Sequence, residues 1–359
     1  MLRMKLIDIL DDVAPALAPN NIVPVLSHFW FTGKVVMAYN SNEGLAISVP
    51  LQTDFTGALP QTLLALLKSS AAKEVDLLAD GEAMVVKAAS SKIKLSMLPA
   101  EDFAFKMPAM PKDVKLPCDP GRFLAAIETC LFSVGNDTSK ADHMGVTIIN
   151  DTEAQELLFY STDHETMCHT TVKYNADKKG KTDLAFERVI LRKSFCNQLV
   201  RLCKGVEDEL ALFICDDYAQ VSFEGTRIFG ANVELDHNPL NFEDLFDQLA
   251  PAPMLKKSVP IPDKFEKILE RACVITDAAI EKSRTEIKIN DGKASFRSKS
   301  ERGEISDVSQ LPDHPSITVF ADPRRMRDGF GKFDKIIFTK LAVVMTRGSY
   351  HYLVAASEA

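Results

Sequence analysis

The sequence predicts an α+β fold made of three repeated domains, each with two helices packed on antiparallel sheets. A short amphipathic helix followed by alternating strands occurs three times, a further helix precedes each of these segments, and Pro- and Lys-rich stretches separate them. The short helices begin at Leu59, Leu191 and Asp322, about 130 residues apart, which is much longer than a solenoid repeat. The chain of 359 residues is long enough for three such domains.

The repeated segment is a helix with one apolar face, followed by strands in which apolar and polar residues alternate. Helix Leu59–Ser70 precedes strands Val75–Leu78, Ala83–Ala88 and Lys92–Met97; helix Leu191–Lys204 precedes Leu210–Cys215, Ala219–Phe223 and Thr226–Val233; helix Asp322–Phe333 precedes Lys335–Phe338, Leu341–Thr346 and Tyr350–Ala355. The same order of elements in three places indicates three copies of one domain.

A further helix begins each copy. These helices are Lys5–Leu17, Pro120–Val134 and Pro262–Thr276. In the third, Phe265, Ile268, Leu269 and Ala272 fall at i, i+3, i+4 and i+7, the spacing of a one-faced helix. Further strands are predicted at Trp30–Ala38, Gly44–Pro50, Gly145–Ile149, Glu156–Ser161, Thr285–Ile289 and Ala294–Ser298, the last two joined by an Asn-Asp-Gly turn signal. Each copy thus has about two helices and eight strands.

Two Pro- and Lys-rich stretches, Lys106–Pro120 and Leu249–Pro262, read as crossings between domains. We therefore predict domains at residues 1–113, 114–251 and 252–359.

The composition indicates a cytoplasmic protein. No apolar run approaches the roughly 20 residues that span a bilayer, and Met1–Asp12 mixes charged with apolar residues, unlike a signal peptide. The seven cysteines are odd in number, form no C-x-x-C pair and have no histidine at zinc spacing. They are predicted to be buried, reduced thiols, and no metal or cofactor is expected.

The sequence offers little for catalysis, so the chain is predicted not to be an enzyme. Thr162–Glu165 clusters polar groups, but neighbouring strand residues point to opposite faces. The same geometry separates Cys168 from His169. No glycine stands in the Gly-Lys-Ser/Thr context of a P-loop.

Several short stretches, in order along essentially the whole chain, are similar to the beta subunit of bacterial DNA polymerase III, the sliding clamp. They are Asn21–Leu26 (NIVPVL), Lys94–Phe103 (KLSMLPAEDF), Tyr160–Met167 (YSTDHETM), Phe242–Pro251 (FEDLFDQLAP) and Phe265–Asp277 (FEKILERACVITD). The second resembles that family's Leu-Pro-Ala-x-Asp-Phe run at the end of its first domain. Departures within these stretches indicate a distant member, such as a phage-encoded one.

The resemblance implies a head-to-tail homodimer that forms a ring around duplex DNA, with helices lining the hole. Such a clamp tethers a replicative DNA polymerase and is placed on DNA by a separate clamp loader. Phe103, Val274 and Ile275 match positions at the family's dimer contact. Their alternative reading is ordinary core.

A sliding ring needs Lys and Arg for weak, sequence-independent attraction to phosphates. The net charge of −8 counts against DNA binding, but the distribution of charge matters more than its sum. The expected DNA-contacting residues are Arg192, Lys193, Arg201, Lys204, Lys140, Arg324, Arg325 and Arg327. Around Asn20, where the family often has an arginine, there is none. The alternative is that these residues form solvated helix faces.

The family captures short peptides of polymerases and loaders in a hydrophobic groove. The matching residues are Thr162, Asp163, Met167, Glu243, Asp247, Gln248, Leu353, Val354 and Ala355. Here His164-Glu165-Thr166 replaces a Gly-His-Arg run, and Asp247-Gln248 replaces an Arg-Val pair. We expect a more acidic groove with altered peptide preference; the alternative is that the groove has been lost.

Two other functions stay open at this point. A clamp-like scaffold that binds proteins without encircling DNA would suit the acidic total. A small-molecule hydrolase on an unrelated β-rich fold is disfavoured because no nucleophile–base motif is present.

Overall fold

The computed structural model describes residues 1–19, 23–41, 44–111, 118–174, 184, 186–206, 210–277, 284–301 and 303–358. The chain divides into two compact units, unit 1 with residues 1–124 and 174–234, and unit 2 with residues 125–173 and 235–359. The three-domain division at 1–113, 114–251 and 252–359 stays a prediction. Asn20 and the first two residues of the Asn21–Leu26 stretch lie outside the described residues.

Helices and strands alternate along the chain. The α-helices are α1 (Arg3–Val13), α2 (Thr62–Ser69), α3 (Pro120–Cys130), α4 (Lys193–Cys203), α5 (Phe242–Leu249), α6 (Ala252–Leu255), α7 (Lys264–Asp277) and α8 (Pro323–Asp328). The first fourteen strands are β1 (His28–Phe31), β2 (Val35–Asn40), β3 (Leu45–Pro50), β4 (Gly57–Pro60), β5 (Val75–Asp80), β6 (Ala83–Ala88), β7 (Ser91–Ser96), β8 (Gly145–Asp151), β9 (Glu156–Thr162), β10 (Thr166–Lys173), β11 (Arg188–Arg192), β12 (Ala211–Ile214), β13 (Tyr218–Phe223) and β14 (Thr226–Ala231). The others are β15 (Val259–Pro260), β16 (Thr285–Asn290), β17 (Lys293–Ser300), β18 (Gly303–Gln310), β19 (Ile317–Ala321), β20 (Lys335–Phe338), β21 (Ala342–Arg347) and β22 (Tyr350–Glu358).

Unit 1 contains two antiparallel sheets. The larger has the order β12-β13-β14-β3-β2-β1-β4, and the smaller has the order β5-β6-β7. Helix α1 packs against α2, β2 and β3, and it buries Leu6, Leu10 and Val13 completely. Helix α4 packs against β14, where Gly230 leaves room for Phe195: a Cβ there would lie 2.5 Å from the Phe195 ring.

Unit 2 is built on one long antiparallel path, β8-β9-β10-β22-β19-β16-β17-β18. Strand β22 is long enough to pair with β10 along His351–Val354 and with β19 along Ala356–Glu358. Its other edge pairs with β21, which continues to β20 and β15. Helix α7 covers β17 and β18 and packs against α8.

The predicted α+β class with helices on antiparallel sheets is confirmed, and most helix faces follow the expected spacing. Phe265, Ile268, Leu269 and Ala272 are all buried on α7. Helix α1 ends four residues before the predicted Leu17, and a 3₁₀ turn follows, because Pro15 has no N–H to continue the α-helical hydrogen bonds.

Several element predictions were wrong. The single strand Trp30–Ala38 is two strands, β1 and β2, separated by a turn in which Gly33 has φ +84°. The stretch Leu249–Pro262 is not a plain linker, since it contains α6 and β15. Strands β4, β10, β11, β18 and β19 and helix α5 were not predicted.

Two expectations, on the state of the cysteines and on membrane-spanning helices, can be compared with the structure. All seven cysteines are free thiols; six are buried and Cys215 is half-buried. No helix in the described ranges is both long and apolar enough to cross a bilayer.

Candidate functional site

Unit 2 contains a cavity of about 520 Å³, within the size range of ligand-binding pockets. Its apolar lining residues are Met167, Leu240, Leu245, Leu249, Leu353 and Ala355. Its polar lining residues are Lys140, Asp142, His143, Thr162, His164, Glu165, Thr166, Asp236 and Asn238. The polar lining contains three carboxylates against one lysine, so the cavity suits an apolar side chain that is accompanied by a positive charge.

The floor rests on one hydrophobic cluster. Helix α5 supplies Phe242 and Phe246, one turn apart, which are buried in the cluster. The next face of the same helix presents Leu245 and Leu249 to the cavity. Asn241 caps the helix, since its side chain accepts a hydrogen bond from the Asp244 amide at 3.2 Å.

A tight turn between β9 and β10 forms one side of the rim. Asp163 Oδ1 accepts hydrogen bonds from the Thr166 amide at 2.7 Å and from the Thr166 hydroxyl at 2.8 Å. The Thr162 hydroxyl donates to the Thr166 carbonyl at 2.8 Å. His164 at the tip of the turn has φ +72°, in the left-handed region.

Arg325 on α8 holds this turn through two ion pairs. Its Nη2 lies 3.0 Å from Asp163 Oδ2 and 3.2 Å from Glu165 Oε2. Its own carbonyl accepts a hydrogen bond from the Tyr352 hydroxyl at 2.9 Å. The guanidinium, expected at the DNA, is therefore engaged with two carboxylates of unit 2.

The predicted groove residues separate into three groups. Thr162, Met167, Leu353 and Ala355 line the cavity, and Asp163 shapes its rim. Val354 is buried in β22, opposite Thr166 of β10. Glu243, Asp247 and Gln248 lie exposed on α5 and are not among the lining residues.

Sequence reasoning missed several lining residues. Leu245 and Leu249 are the main ones, and their i, i+4 spacing after the Asn241 cap was the available signal. Lys140, expected at the DNA, is a lining residue of the same cavity. Asp142 holds the Leu240 amide at 2.8 Å, which positions the loop that closes the cavity.

The basic residues of α4 and its N-terminal flank belong to unit 1. Arg192 donates from Nε to the Ala231 carbonyl at 3.1 Å, and its side chain is partly buried. Arg201 forms an ion pair with Asp12 at 2.8 Å and also donates to the Asp12 carbonyl. Lys193 is partly exposed and Lys204 is exposed.

On α8, Arg324 pairs with Asp322 at 3.0 Å and with Asp277 at 3.5 Å. Arg327 is exposed, and no carboxylate of the described residues lies within ion-pair distance of it. The two predicted basic clusters thus contain both engaged and exposed cations. Their contact with DNA stays a prediction.

The residues expected at a dimer contact differ in exposure. Phe103 is buried in unit 1 and stacks on Trp30, with ring centroids 4.4 Å apart. Val274 on α7 is 71% exposed, and its neighbour Ile275 is half-buried. Val274 is therefore a large apolar side chain left in solvent by this chain alone.

Titratable groups under the cavity are held neutral by burial. Burial lowers the pKa of His169 to about 4, with nearby His351 adding to the effect. Burial also raises the pKa of the Cys168 thiol to about 12. Since the thiolate is the nucleophilic form of cysteine, the raised pKa makes Cys168 a weak nucleophile at neutral pH.

The rim histidine His143 is 3% exposed. Burial lowers its pKa, and the neighbouring His164 lowers it further. The two rings meet edge to face, with centroids 3.7 Å apart.

No family model and no curated protein sequence matches the chain. Solved structures of DNA polymerase III beta subunits match it along its whole length. One from Thermotoga maritima is 14% identical with a TM-score of 0.81, and the match covers 100% of this chain and 98% of that one. A sliding clamp from Pseudomonas aeruginosa bound to griselimycin is 15% identical with a TM-score of 0.82 and the same coverage.

A beta sliding clamp from C. crescentus is 17% identical with a TM-score of 0.80, and the match covers 100% of this chain and 98% of that one. At such identities the likeness concerns the fold. This chain has the fold of DNA polymerase III beta subunits, and the predicted resemblance to them is confirmed at that level.

Proposed function

Starting from the fold of bacterial sliding clamps, we propose that this chain is a divergent sliding clamp: a homodimeric, cytoplasmic ring that encircles duplex DNA and tethers a DNA polymerase. The main support for this proposal is the structural match to beta subunits along the full length, at TM-scores of about 0.8. The division into three domains and the need for a separate clamp loader belong to the same proposal.

In this proposal the chain catalyses no reaction. A ring that is closed around DNA is retained by topology, so its contacts with phosphates can be few and weak. The exposed cations Lys204 and Arg327 suit such contacts best. Arg192, Arg201, Arg324 and Arg325 are engaged within the chain and would contribute less.

The homodimer contact would cover Val274. Its 71% exposure leaves a β-branched apolar side chain in water, which a partner surface would remove from solvent at a gain of about 1.5–3 kcal/mol for full burial. Light scattering should give the mass of two chains, and Val274→Asp should shift the mass towards one chain.

The cavity of unit 2 would receive the partner peptide. Its floor is made by Leu245, Leu249 and Leu353, and its rim carries Asp142, Glu165 and Asp236. We propose a preference for an apolar side chain next to Lys or Arg in the peptide. A groove with a basic edge would have the opposite preference. The difference comes from residues 164–166, which are His-Glu-Thr in this chain.

Encirclement is tested with nicked circular DNA. The protein, loaded by its loader or by reversible opening of the ring, should be retained on circles and lost after linearisation. Equal retention on a linear fragment with free ends would contradict encirclement. The double variant Arg192→Glu/Lys193→Glu should weaken retention, because it reverses two charges beside α4.

Peptide capture is tested by fluorescence anisotropy with two peptides that differ only in Lys or Glu beside a Leu-Phe pair. The Lys peptide should bind more tightly. Leu245→Ala should weaken binding, whereas Gln248→Ala, on the same helix but outside the cavity lining, should not. Equal binding of both peptides would contradict the proposed charge preference.

A clamp-like scaffold that does not encircle DNA is the second candidate. It is favoured by the net charge of −8 and by the engagement of Arg201, Arg324 and Arg325 with carboxylates. A monomer mass together with equal behaviour on circular and linear DNA would support it.

A further inference from the structure

We propose that Asp137, His143 and His164 form a binding site for a transition-metal ion of the Zn²⁺ class. One carboxylate oxygen and two imidazole nitrogens of these residues all lie within 4.8 Å of one another. All three residues belong to unit 2. Two imidazoles and one carboxylate are a common set of protein ligands for Zn²⁺, which leave one coordination position for water or another group.

Three separate segments bring the ligands together. Asp137 lies in the segment that follows α3, His143 ends the 3₁₀ turn Ala141–His143, and His164 is the tip of the β9–β10 turn. Gly135 permits their approach: a Cβ there would lie 3.2 Å from the His143 Cβ and 3.5 Å from the Asp163 Cα. The cluster therefore depends on a close contact between two backbone segments.

An independent observation points to a ligand at this place. His143 is 3% exposed, and its Nδ1 has no hydrogen-bond partner among the described residues. Buried polar atoms are nearly always paired, so an unpartnered imidazole nitrogen needs an explanation. The His143 and His164 rings are in contact edge to face, with centroids 3.7 Å apart, and a nitrogen of each ring lies within 4.8 Å of the other and of an Asp137 carboxylate oxygen.

The ligand atoms have to move closer together when the ion binds. In a tetrahedral Zn²⁺ site with bonds of about 2.1 Å, the ligand atoms lie about 3.4 Å apart, so a pair near the 4.8 Å limit would approach by about 1.4 Å. Asp137 and His164 are exposed and can make this adjustment, while buried His143 stays in place. The Ser139 amide, which donates to Asp137 Oδ1 at 2.9 Å, orients the carboxylate.

The ion would also alter the cavity. His143 and His164 are lining residues, together with Asp142, Glu165 and Asp236 against Lys140 alone. A divalent cation at this rim would offset the acidic charge, and its open position could accept a carboxylate or imidazole of a bound partner. The metal site itself does not rest on the proposed clamp function.

The test is calorimetric titration of the full chain with ZnCl₂. The unmodified protein should bind one equivalent, with a Kd in the micromolar range or below. Asp137→Asn and His164→Asn should each weaken binding at least tenfold; Asn is chosen at 164 because it tolerates a positive φ. His28→Asn, at a partly exposed histidine of unit 1, is the matched control and should bind as the unmodified protein does.

Substitution by Co²⁺ identifies the ligands. A ligand-field spectrum without a thiolate-to-cobalt band is expected, since the half-buried Cys215 is not part of the site. Thermal unfolding without metal checks that the variants are folded. Zn²⁺ should raise the Tm of the unmodified protein and of the His28→Asn control more than that of the Asp137→Asn and His164→Asn variants. The proposal is overturned if the unmodified protein does not bind Zn²⁺ stoichiometrically, or if the Asp137→Asn and His164→Asn variants bind it as tightly as the unmodified protein does. A thiolate-to-cobalt band in the Co²⁺ spectrum would also overturn it.

Discussion

Arg325 offers a sharp test of how the structure changes the expectation from sequence. Arg325 and Arg327 stand two residues apart on α8, and both were predicted to contact DNA. The structure separates them: Arg325 pairs with Asp163 and Glu165, whereas Arg327 is exposed. The variants Arg325→Met and Arg327→Met remove one charge each while keeping an unbranched apolar stem, so each serves as the control of the other.

The expected cost of Arg325→Met follows from its surroundings. The ion-pair distances are 3.0 and 3.2 Å, with side-chain exposures of 35% for Arg325 and 14% for Asp163. Exposed pairs contribute up to about 1 kcal/mol, and breaking a buried pair costs about 3–5 kcal/mol. With about a third of the Arg325 side chain in solvent, we expect a loss of about 1–2 kcal/mol, which concerns the turn at residues 162–166.

Hydrogen exchange measures this loss locally. The Thr166 amide donates to Asp163 at 2.7 Å, so its exchange should accelerate about 5- to 30-fold in Arg325→Met, as 1–2 kcal/mol implies. Arg327→Met should leave it unchanged. In DNA retention, Arg327→Met should reduce the salt dependence by about one phosphate contact, and Arg325→Met should not. The opposite pattern in both assays would refute the structural assignment.

Three further predictions concern stability, measured by urea unfolding. His169 has a pKa of about 4 in the folded protein, below the 6.5 of an unfolded histidine. Its contribution to the free energy of unfolding, about 3 kcal/mol, is therefore present above pH 6.5 and is lost as the pH falls towards 4. His169→Gln should flatten this pH dependence, and an unchanged pH profile would contradict the prediction. Phe246→Ala removes a ring buried beneath the cavity and should cost about 3–5 kcal/mol. Gly230→Ala places a Cβ 2.5 Å from the Phe195 ring and should cost about 1–3 kcal/mol, so a neutral result would show that α4 can shift.

Periodicity predicted the fold wherever one face of an element is buried. Helix α7 was found from Phe265, Ile268, Leu269 and Ala272, because a single buried stripe produces the i, i+3, i+4, i+7 spacing. Strand β10 was missed because most of its residues are buried although many are polar. His169 Nδ1 lies 3.3 Å from the Phe159 carbonyl oxygen, and the Thr170 hydroxyl lies 3.4 Å from the Ser349 hydroxyl. Buried polar side chains of this kind leave no hydrophobic alternation in the sequence.

The candidate site was predictable only in part. Thr162, Met167, Leu353 and Ala355 were found through family resemblance, and they do line the cavity. The pairing of Arg201 with Asp12, which are 189 positions apart, depends on the tertiary fold and leaves no local signal. The Asp137–His143–His164 cluster was missed for the same reason, since a search for zinc spacing assumes that the ligands lie in one or two short motifs.

The bearing of the acidic net charge on DNA binding depends on which of the predicted DNA-contacting cations are already paired with carboxylates. Arg201, Arg324 and Arg325 already face carboxylates, so placing phosphates beside them would displace those pairs and return little free energy. A protein that held DNA by charge alone would need several unpaired cations, because affinity scales with the number of phosphates neutralised. A closed ring has no such requirement, and weak contacts favour sliding. The scarcity of exposed, unpaired cations among the predicted DNA-contacting residues is therefore compatible with a clamp, whereas it disfavours a protein that binds linear DNA through those residues by affinity alone.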